Sequence, residues 1–439
     1  MKKWKKILNA AIAVSVSVIC TVSTVMAASV DLNAVYGISS NGLEGWPQGP
    51  EISCNTGILM EAETGAVLYD KGADELRYPA SITKLMTLLV AVENSSLDEE
   101  VTFTETGVRD VTPDSGNIGM QLGEVMTMED CLYAMIIYSA NEVSAQIAEH
   151  VGGTEQNFID MMNERAAQIG CTNTHFTNAS GLPDTNQYTT ARDMALIFRE
   201  GLNNEIYREI LNTPTYVIPA TNKNSEERKL HTHHPLFAEE SGLYYPGCIG
   251  GKSGMTNDAG HTLVTGVEQN GVTYITVVLR AVDLSQACVD SRQLFDYGFQ
   301  NFRKEEYKNG SVMLPNTMTT DQIEEKETDS EDGKIYQFYV SGQLMGAASV
   351  PEPTEAPVPT VTEKEPLEEV GSADEEPLYQ QESLAEESGV ESETEKKTGK
   401  LTHMTKILLI VMGVMIVLLV ILLAALHHKN KKKKRKKRR

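Results

Sequence analysis

The chain has 439 residues, 41% hydrophobic and 23% charged, enough apolar side chain for one large domain with accessory segments. Its net charge of −23 hides an asymmetry: residues 429–439 hold ten basic residues, so the remainder stands at −33. An acidic body argues against nucleic acid as a partner, because phosphate contacts need a basic footprint, and six scattered cysteines without a Cys-x-x-Cys pair give no support to a zinc or thioredoxin-like site.

Residues 1–27 carry four lysines, then an apolar run closing on small residues at Ala27 and Ala28. This is the pattern of a secretory signal peptide cleaved after Ala27 or Ala28, with an uncleaved anchor as the alternative. Cys20 lies inside it. The other five cysteines (Cys54, Cys131, Cys171, Cys248 and Cys288) read as small buried apolar residues, with disulfides left open. Residues 28–44 read as a lead-in to a body over 45–303.

Within the body, GILMEAETGAVLY (57–69) predicts a hairpin about Thr64-Gly65. After Pro79, SITKLMTLLVAVEN has apolar residues at helical spacing. Residues 129–151 read as mostly helical with an apolar interior. Residues 155–169 form an amphipathic helix with Phe158, Met161, Met162 and Ala166 on one side, and 190–202 form another. The β-branched runs HTLVTGV and TYITVVLRAV, separated by Gln-Asn-Gly, predict a second hairpin, and DSRQLFDYGFQNF closes the body as a helix. Strands at both ends with helices between predict an α+β fold whose terminal hairpins share one antiparallel sheet.

Residues 304–350 are expected to be a small β-rich appendage, with a hairpin over 334–350. Residues 351–406 change composition: 351–400 hold 15 acidic residues and 6 prolines with almost no aromatics, the signature of a disordered, self-repelling stalk. Residues 407–426 are 20 consecutive uncharged, apolar positions. At about 1.5 Å per residue they match a hydrocarbon core of about 30 Å, so a C-terminal transmembrane helix with membrane lipid as its partner is expected. The basic tail, 427–439, should then stay cytoplasmic and the body extracytoplasmic.

Three short motifs carry the chemistry. Ser81-Ile82-Thr83-Lys84 stands at a predicted helix start, where positions i and i+3 share a face. A serine hydroxyl is a weak nucleophile without an adjacent base, and a lysine serves as that base once burial and neighbouring charge lower its pKa. The helix start also offers the Ser81 N–H to a developing oxyanion. Ser139-Ala140-Asn141 interrupts a strongly apolar run. Ser139 is placed to relay a proton to a leaving amine, and Asn141 to hold a substrate amide and the Lys84 amine. Lys252-Ser253-Gly254 precedes the second hairpin. Its cation and hydroxyl suit a substrate carboxylate, Gly254 permits close backbone approach, and the Met255 N–H is a candidate second oxyanion donor. Each motif alone is weak. Lys397-Thr398-Gly399 also fits the third pattern, but it lies in the acidic stalk without strand context. Specificity comes from order, local structure and spacings of 58 and 113 residues.

The segment Pro79-Ala80-Ser81-Ile82-Thr83-Lys84-Leu85-Met86-Thr87 resembles the active-site segment of the low-molecular-mass penicillin-binding proteins, the serine D-alanyl-D-alanine carboxypeptidases. Ser139-Ala140-Asn141-Glu142, Asn173-Thr174-His175-Phe176, Gly181-Leu182-Pro183-Asp184, the run from Tyr188 to Met194 and Lys252-Ser253-Gly254 with Ala259-Gly260 are similar too. The resemblance spans roughly residues 50–303. It implies a beta-lactamase/transpeptidase-like fold, a five-stranded antiparallel sheet beside a helical lobe. It also implies Ser81 acylation by peptidoglycan stem peptides, release of the terminal D-alanine, and acylation by beta-lactam antibiotics as inhibitors, with no cofactor. Ser253 stands where threonine is usual, and 304–350 look too short for the full all-β second domain that family members often carry.

Arg192 is a candidate substrate-binding residue in the Tyr-Thr-Thr-Ala-Arg-Asp-Met run, against the more ordinary role of a helix-start ion-pair partner. His231, His233 and His234 read as solvated loop histidines rather than metal ligands, and His261 as a packing or rim residue. Competing readings are a beta-lactamase or D,D-endopeptidase on the same fold, and a non-enzymatic wall-peptide sensor. No Glu-x-x-Leu-Asn deacylation motif of the class A beta-lactamase kind is visible.

Overall fold

The computed structural model of the protein describes residues 30–112, 115–330 and 333–351. The signal segment, the acidic stalk, residues 407–426 and the basic tail lie outside the described residues. Among the described residues no helix is long and apolar enough to cross a membrane.

The first hairpin pairs β1 (Thr56–Glu61) with β2 (Val67–Lys71). A 3-10 turn, Ala80–Thr83, leads into α1 (Lys84–Asn94). Short strands β3 (Glu100–Thr102) and β4 (Val125–Thr127) pair ahead of α2 (Met128–Ile137). The helical lobe continues with α3 (Asn141–Gly152), α4 (Glu155–Ile169), α5 (Ala191–Gly201) and α6 (Glu205–Leu211). A side hairpin, β5 (Thr215–Ile218) and β6 (Arg228–His231), follows. Three long strands close the first sheet: β7 (Cys248–Thr256), β8 (Gly260–Gln269) and β9 (Val272–Ala281). Helix α7 (Leu284–Asn301) then packs behind it.

The sheet order is β2-β1-β9-β8-β7, so the terminal hairpins do meet in one antiparallel sheet. The β8–β9 turn uses Asn270 at φ 53° and Gly271 at φ 74°, the left-handed pair that a tight two-residue turn requires. Side chains alternate across the sheet. Val264, Ile275, Val277 and Leu279 face the helical lobe, whereas Leu263, Val267 and Val278 face α7. Both faces are buried, so β8 and β9 read as near-continuous apolar runs.

Residues 129–151 are mostly helical, as expected, but in two helices: the path stops at Ile137 and restarts at Asn141. The cause lies in the backbone, since Ser139 adopts φ 63° and Ala140 is extended. The region after the body is β-rich and ends in a hairpin over Gly333–Pro351, as expected, but it holds more strands than that hairpin. Strands β10 (Phe302–Tyr307), β11 (Gly310–Pro315), β12 (Glu324–Ser330), β13 (Gly333–Val340) and β14 (Gln343–Pro351) form a second five-stranded sheet, ordered β10-β11-β14-β13-β12. Val312, Leu314 and Phe338 join the apolar cluster of Leu294, Phe295 and Leu59, so a boundary at residue 303 would cut through β10 and a shared core.

Candidate active site

Ser81 sits in the 3-10 turn just ahead of α1. The preceding Ala80 is held at φ 53°, a conformation uncommon for a residue with a Cβ. Thr262 Oγ1 pins the entry by donating to the Pro79 carbonyl at 2.9 Å. Backbone strain of this kind persists only where surrounding contacts fix it, and functional sites are where it clusters.

One turn on, Lys84 is fully buried. Its Nζ donates to Asn141 Oδ1 at 2.6 Å and to the Ser180 carbonyl at 2.6 Å, and lies 3.1 Å from Ser81 Oγ. A neutral amine has two N–H donors and one lone pair. The two carbonyl-type acceptors use the donors, which leaves the lone pair facing the Ser81 hydroxyl. Burial, and secondarily the charge of Lys252, hold the Lys84 amine well below its ordinary 10.5, while Glu142 and Asp110 pull the other way.

Asn141 begins α3, where the helix restarts after the Ser139 kink. Its Nδ2 donates to Ser115 Oγ at 2.7 Å and its backbone N–H to the Gly116 carbonyl at 2.8 Å. The adjacent Glu142 is buried and accepts from the Ile118 N–H at 2.7 Å. Burial pushes its carboxyl up to about 7. Asn141 and Glu142 thus fasten the 115–118 segment over the helical lobe. The kink frees Ser139 from a buried helix face and turns it to the cleft.

Lys252, Ser253 and Gly254 lie on β7, an edge strand of the first sheet. Lys252 is buried and donates to the Ser253 carbonyl at 3.0 Å, and burial pushes it down to about 7. At Gly254 a Cβ would stand 2.6 Å from the Ser81 amide nitrogen, so only glycine lets β7 approach the Ser81 backbone this closely.

A cleft of about 550 Å³ joins these groups: Ser81, Ser139, Lys252, Ser253, Gly254 and Met255 all line it. Lys84 and Asn141 lie beneath Ser81. Arg192 is elsewhere and needs correction as a substrate ligand. Its guanidinium donates to Asp74 at 2.7 Å and to Asp70 at 2.8 Å, which uses its charge on the N-terminal turn of α5, and it does not line the cleft.

The histidine run departs from expectation at His234. His231 and His233 are exposed, but His234 is only 4% exposed, with Nε2 at 3.0 Å from Thr265 Oγ1 and 3.2 Å from the Val264 carbonyl. Burial drives it down to about 4. His233 lines the cleft, its ring 5.1 Å from that of Tyr138, and His261 lines it as well. All five described cysteines are free and buried. Among the described residues no group of three His, Cys, Asp or Glu side chains is placed to hold a metal ion.

Sequence reasoning missed the Ser180 carbonyl, Ser115 and His233. A backbone acceptor leaves no residue-type signal, and Ser115 reaches Asn141 only through tertiary contact. Glu142 was visible, being adjacent to Asn141.

The family model described as Peptidase_S11, D-alanyl-D-alanine carboxypeptidase, matches residues 45–283. The chain belongs to this family. Among curated relatives, D-alanyl-D-alanine carboxypeptidase DacA of Haemophilus influenzae is 31% identical over 278 residues, which is 61% of this chain and 67% of the relative. DacF of Bacillus subtilis is 30% identical over 249 residues, 56% of this chain and 62% of the relative. Among solved structures, the D-alanyl-D-alanine carboxypeptidase of Mycobacterium tuberculosis H37Rv aligns with TM-score 0.53 and 27% identity, over 59% of this chain and 95% of its own. The Streptomyces K15 DD-transpeptidase aligns with TM-score 0.54 and 26% identity, over 58% of this chain and 100% of its own. All motifs of the cleft fall inside the matched carboxypeptidase region.

Proposed function

We propose that this member of the carboxypeptidase family removes the terminal D-alanine from peptidoglycan pentapeptide stems through an acyl-enzyme at Ser81. Ser81 Oγ attacks the carbonyl carbon of the penultimate D-alanine, and its proton passes to the neutral Lys84 amine. The backbone N–H groups of Ser81 and Met255 receive the developing oxyanion. Ser139 relays a proton to the departing D-alanine amine. Lys252 and Ser253 hold that residue's carboxylate, Asn141 holds the substrate amide, and water then hydrolyses the ester. One observation carries this reading: a buried lysine whose donors are used elsewhere stands 3.1 Å from the serine hydroxyl.

The free side of β7 supports an extended substrate lying along the strand, an arrangement in which peptides commonly join a sheet edge. Likeness to a DD-transpeptidase favours a second reading, in which an amine rather than water takes the acyl group.

The topology belongs to the same proposal. Residues 1–27 export the chain, residues 407–426 span the membrane lipid, and the tail 427–439 stays cytoplasmic, so the catalytic domain meets wall peptides outside. Support comes from the charge and hydropathy pattern alone.

Fluorescent penicillin should label the wild type and not Ser81→Ala, and only the wild type should release D-alanine from a peptide ending in D-Ala-D-Ala. Absence of release by the pure wild type overturns the reading. A cross-linked product formed with an added amine favours the transferase alternative.

A further inference from the structure

The His-Thr-His-His run is a motif that the catalytic steps above do not use. Its second histidine, His233, lines both the main cleft and a narrow recess beside Lys252, Ser253 and His234. His234 anchors the segment through Val264 and Thr265, and its carbonyl accepts from the Phe237 and Ala238 N–H groups. Tyr138, next to Ser139, flanks the His233 ring. His233 is exposed, and its imidazole lies on the wall of the cleft that Lys252 also lines.

The charge around it is one-sided. Among the described residues no Asp or Glu lines the cleft, although the chain outside its basic tail is strongly acidic. Lys252 Nζ donates to the Ser253 carbonyl, and no other protein acceptor stands against it among the described residues, so its further donors are available to a ligand. A pocket that gathers a lysine, a hydroxyl and an imidazole without a carboxylate is built for an anion.

We propose that His233 is a second cationic arm of the carboxylate site, which with Lys252 clamps the free carboxylate of the substrate's terminal residue. This rests on the reading of the site given above and adds a specificity-determining residue to it. Burial, and then the charge of Lys252, hold the empty imidazole below its ordinary 6.5. A bound carboxylate has the opposite effect and draws a proton onto the ring. The groups facing it are Lys252, the neutral His234, Tyr138 and, across the cleft, His261; Lys84 and Glu142 lie beneath. The arm is charged on the acid side, so KM for a free-carboxylate substrate falls as pH drops; Lys252, held down to about 7, acts in the same direction, and the His233 share is the part of the dependence lost in His233→Gln. Lys84 must remain neutral for attack, so kcat falls as pH drops towards its lowered pKa.

The test compares an N-acetylated tripeptide ending in D-Ala-D-Ala with its C-terminal amide. His233→Gln should raise KM for the acid about tenfold, the size of one lost charge-assisted hydrogen bond, with the smaller part of the loss in kcat, and leave the amide unaffected. His233→Arg should restore KM and reduce its dependence on pH to the part due to Lys252. Equal losses on acid and amide, or failure of arginine to rescue, would reduce His233 to packing against Tyr138 and overturn the inference. A wild-type KM in His233→Gln overturns it too. If the wild type itself releases no D-alanine, the catalytic reading falls first and this one with it; an active wild type with an indifferent His233→Gln removes only this one.

Discussion

Each of the two five-stranded sheets has two edge strands, and one edge of each, β7 and β12, is treated in opposite ways. In the first sheet that edge is β7, where Lys252 and Gly254 are buried against the cleft floor and the nucleophile's backbone. In the second sheet it is β12, a run of Glu324, Glu325, Lys326 and Glu327, all exposed. Glu325 pairs with Lys308 at 2.5 Å, Glu327 with Lys334, and Lys326 lies 4.0 Å from the Tyr339 ring. An open edge is a template for any extended chain, and charge is a common means of blunting it. β12 is blunted by charge. β7 stays receptive but is recessed, so that a thin peptide enters where another sheet does not. The difference separates the edge that carries glycine and a buried lysine, on which the proposed function rests, from the one decorated with ion pairs.

The largest break in that comparison is Lys84→Met. Removing the base should cut D-alanine release and penicillin acylation about 10³-fold, within the range of general-base losses. Undiminished acylation would remove Lys84 from the mechanism. The same variant has a stability signature. Lys84 lies well below the free-lysine value of 10.5, so the folded state binds fewer protons there than the unfolded chain. Its contribution to stability is therefore full above about 10.5 and declines as pH falls towards the lowered value. Urea midpoints taken downward from pH 10.5 should lose that slope in Lys84→Met, and matching slopes would mean that the lysine is charged in the fold.

Much of this site was legible because its chemistry sits in short, ordered motifs at element starts. Ser81 and Lys84 share a face by spacing alone, and the Asn-Gly turn announced the β8–β9 hairpin. The break at Ser139 was not legible, because apolar residues continue on both sides of it and a left-handed serine leaves no mark in composition. The Ser180 carbonyl and His233 reach the cleft only through tertiary folding. Arg192 fitted a family-like run, yet Asp70 and Asp74, more than a hundred positions earlier, capture it. In the second sheet, β10 and β12 are too charged to alternate (FRKEEY and EEKETDS), so edge protection itself conceals the strands.

A smaller effect is expected from Gly254→Ala. Its Cβ would stand 2.6 Å from the Ser81 nitrogen and 2.7 Å from Thr262 Oγ1, so β7 must shift by a few tenths of an ångström or more. The Ser81 N–H then loses its aim at the oxyanion, and acylation by penicillin should slow about 10²-fold, the order of one misplaced donor. The thermal midpoint should change little, because the strand keeps its pairing with β8. Wild-type acylation kinetics would show that this close approach has no part in catalysis.

The smallest effect on activity, and the sharpest contrast, comes from β12. Replacing Glu325 and Glu327 with threonine keeps a strand-compatible sequence and removes both carboxylates that pair with Lys308 and Lys334. Exposed ion pairs contribute only about 0.2–1 kcal/mol each, so folding stability should hardly move. The lost charge, however, removes the repulsion that keeps two such edges apart. Sedimentation of the soluble body should therefore reveal self-association in the double variant, while D-alanine release per active site stays at the wild-type value. Monomeric behaviour at the same concentration would mean that the twist of the second sheet, rather than its charge, protects this edge. Reduced turnover would mean that the second sheet acts on the cleft through α7, whose Leu294 and Phe295 lie in the core shared by both sheets.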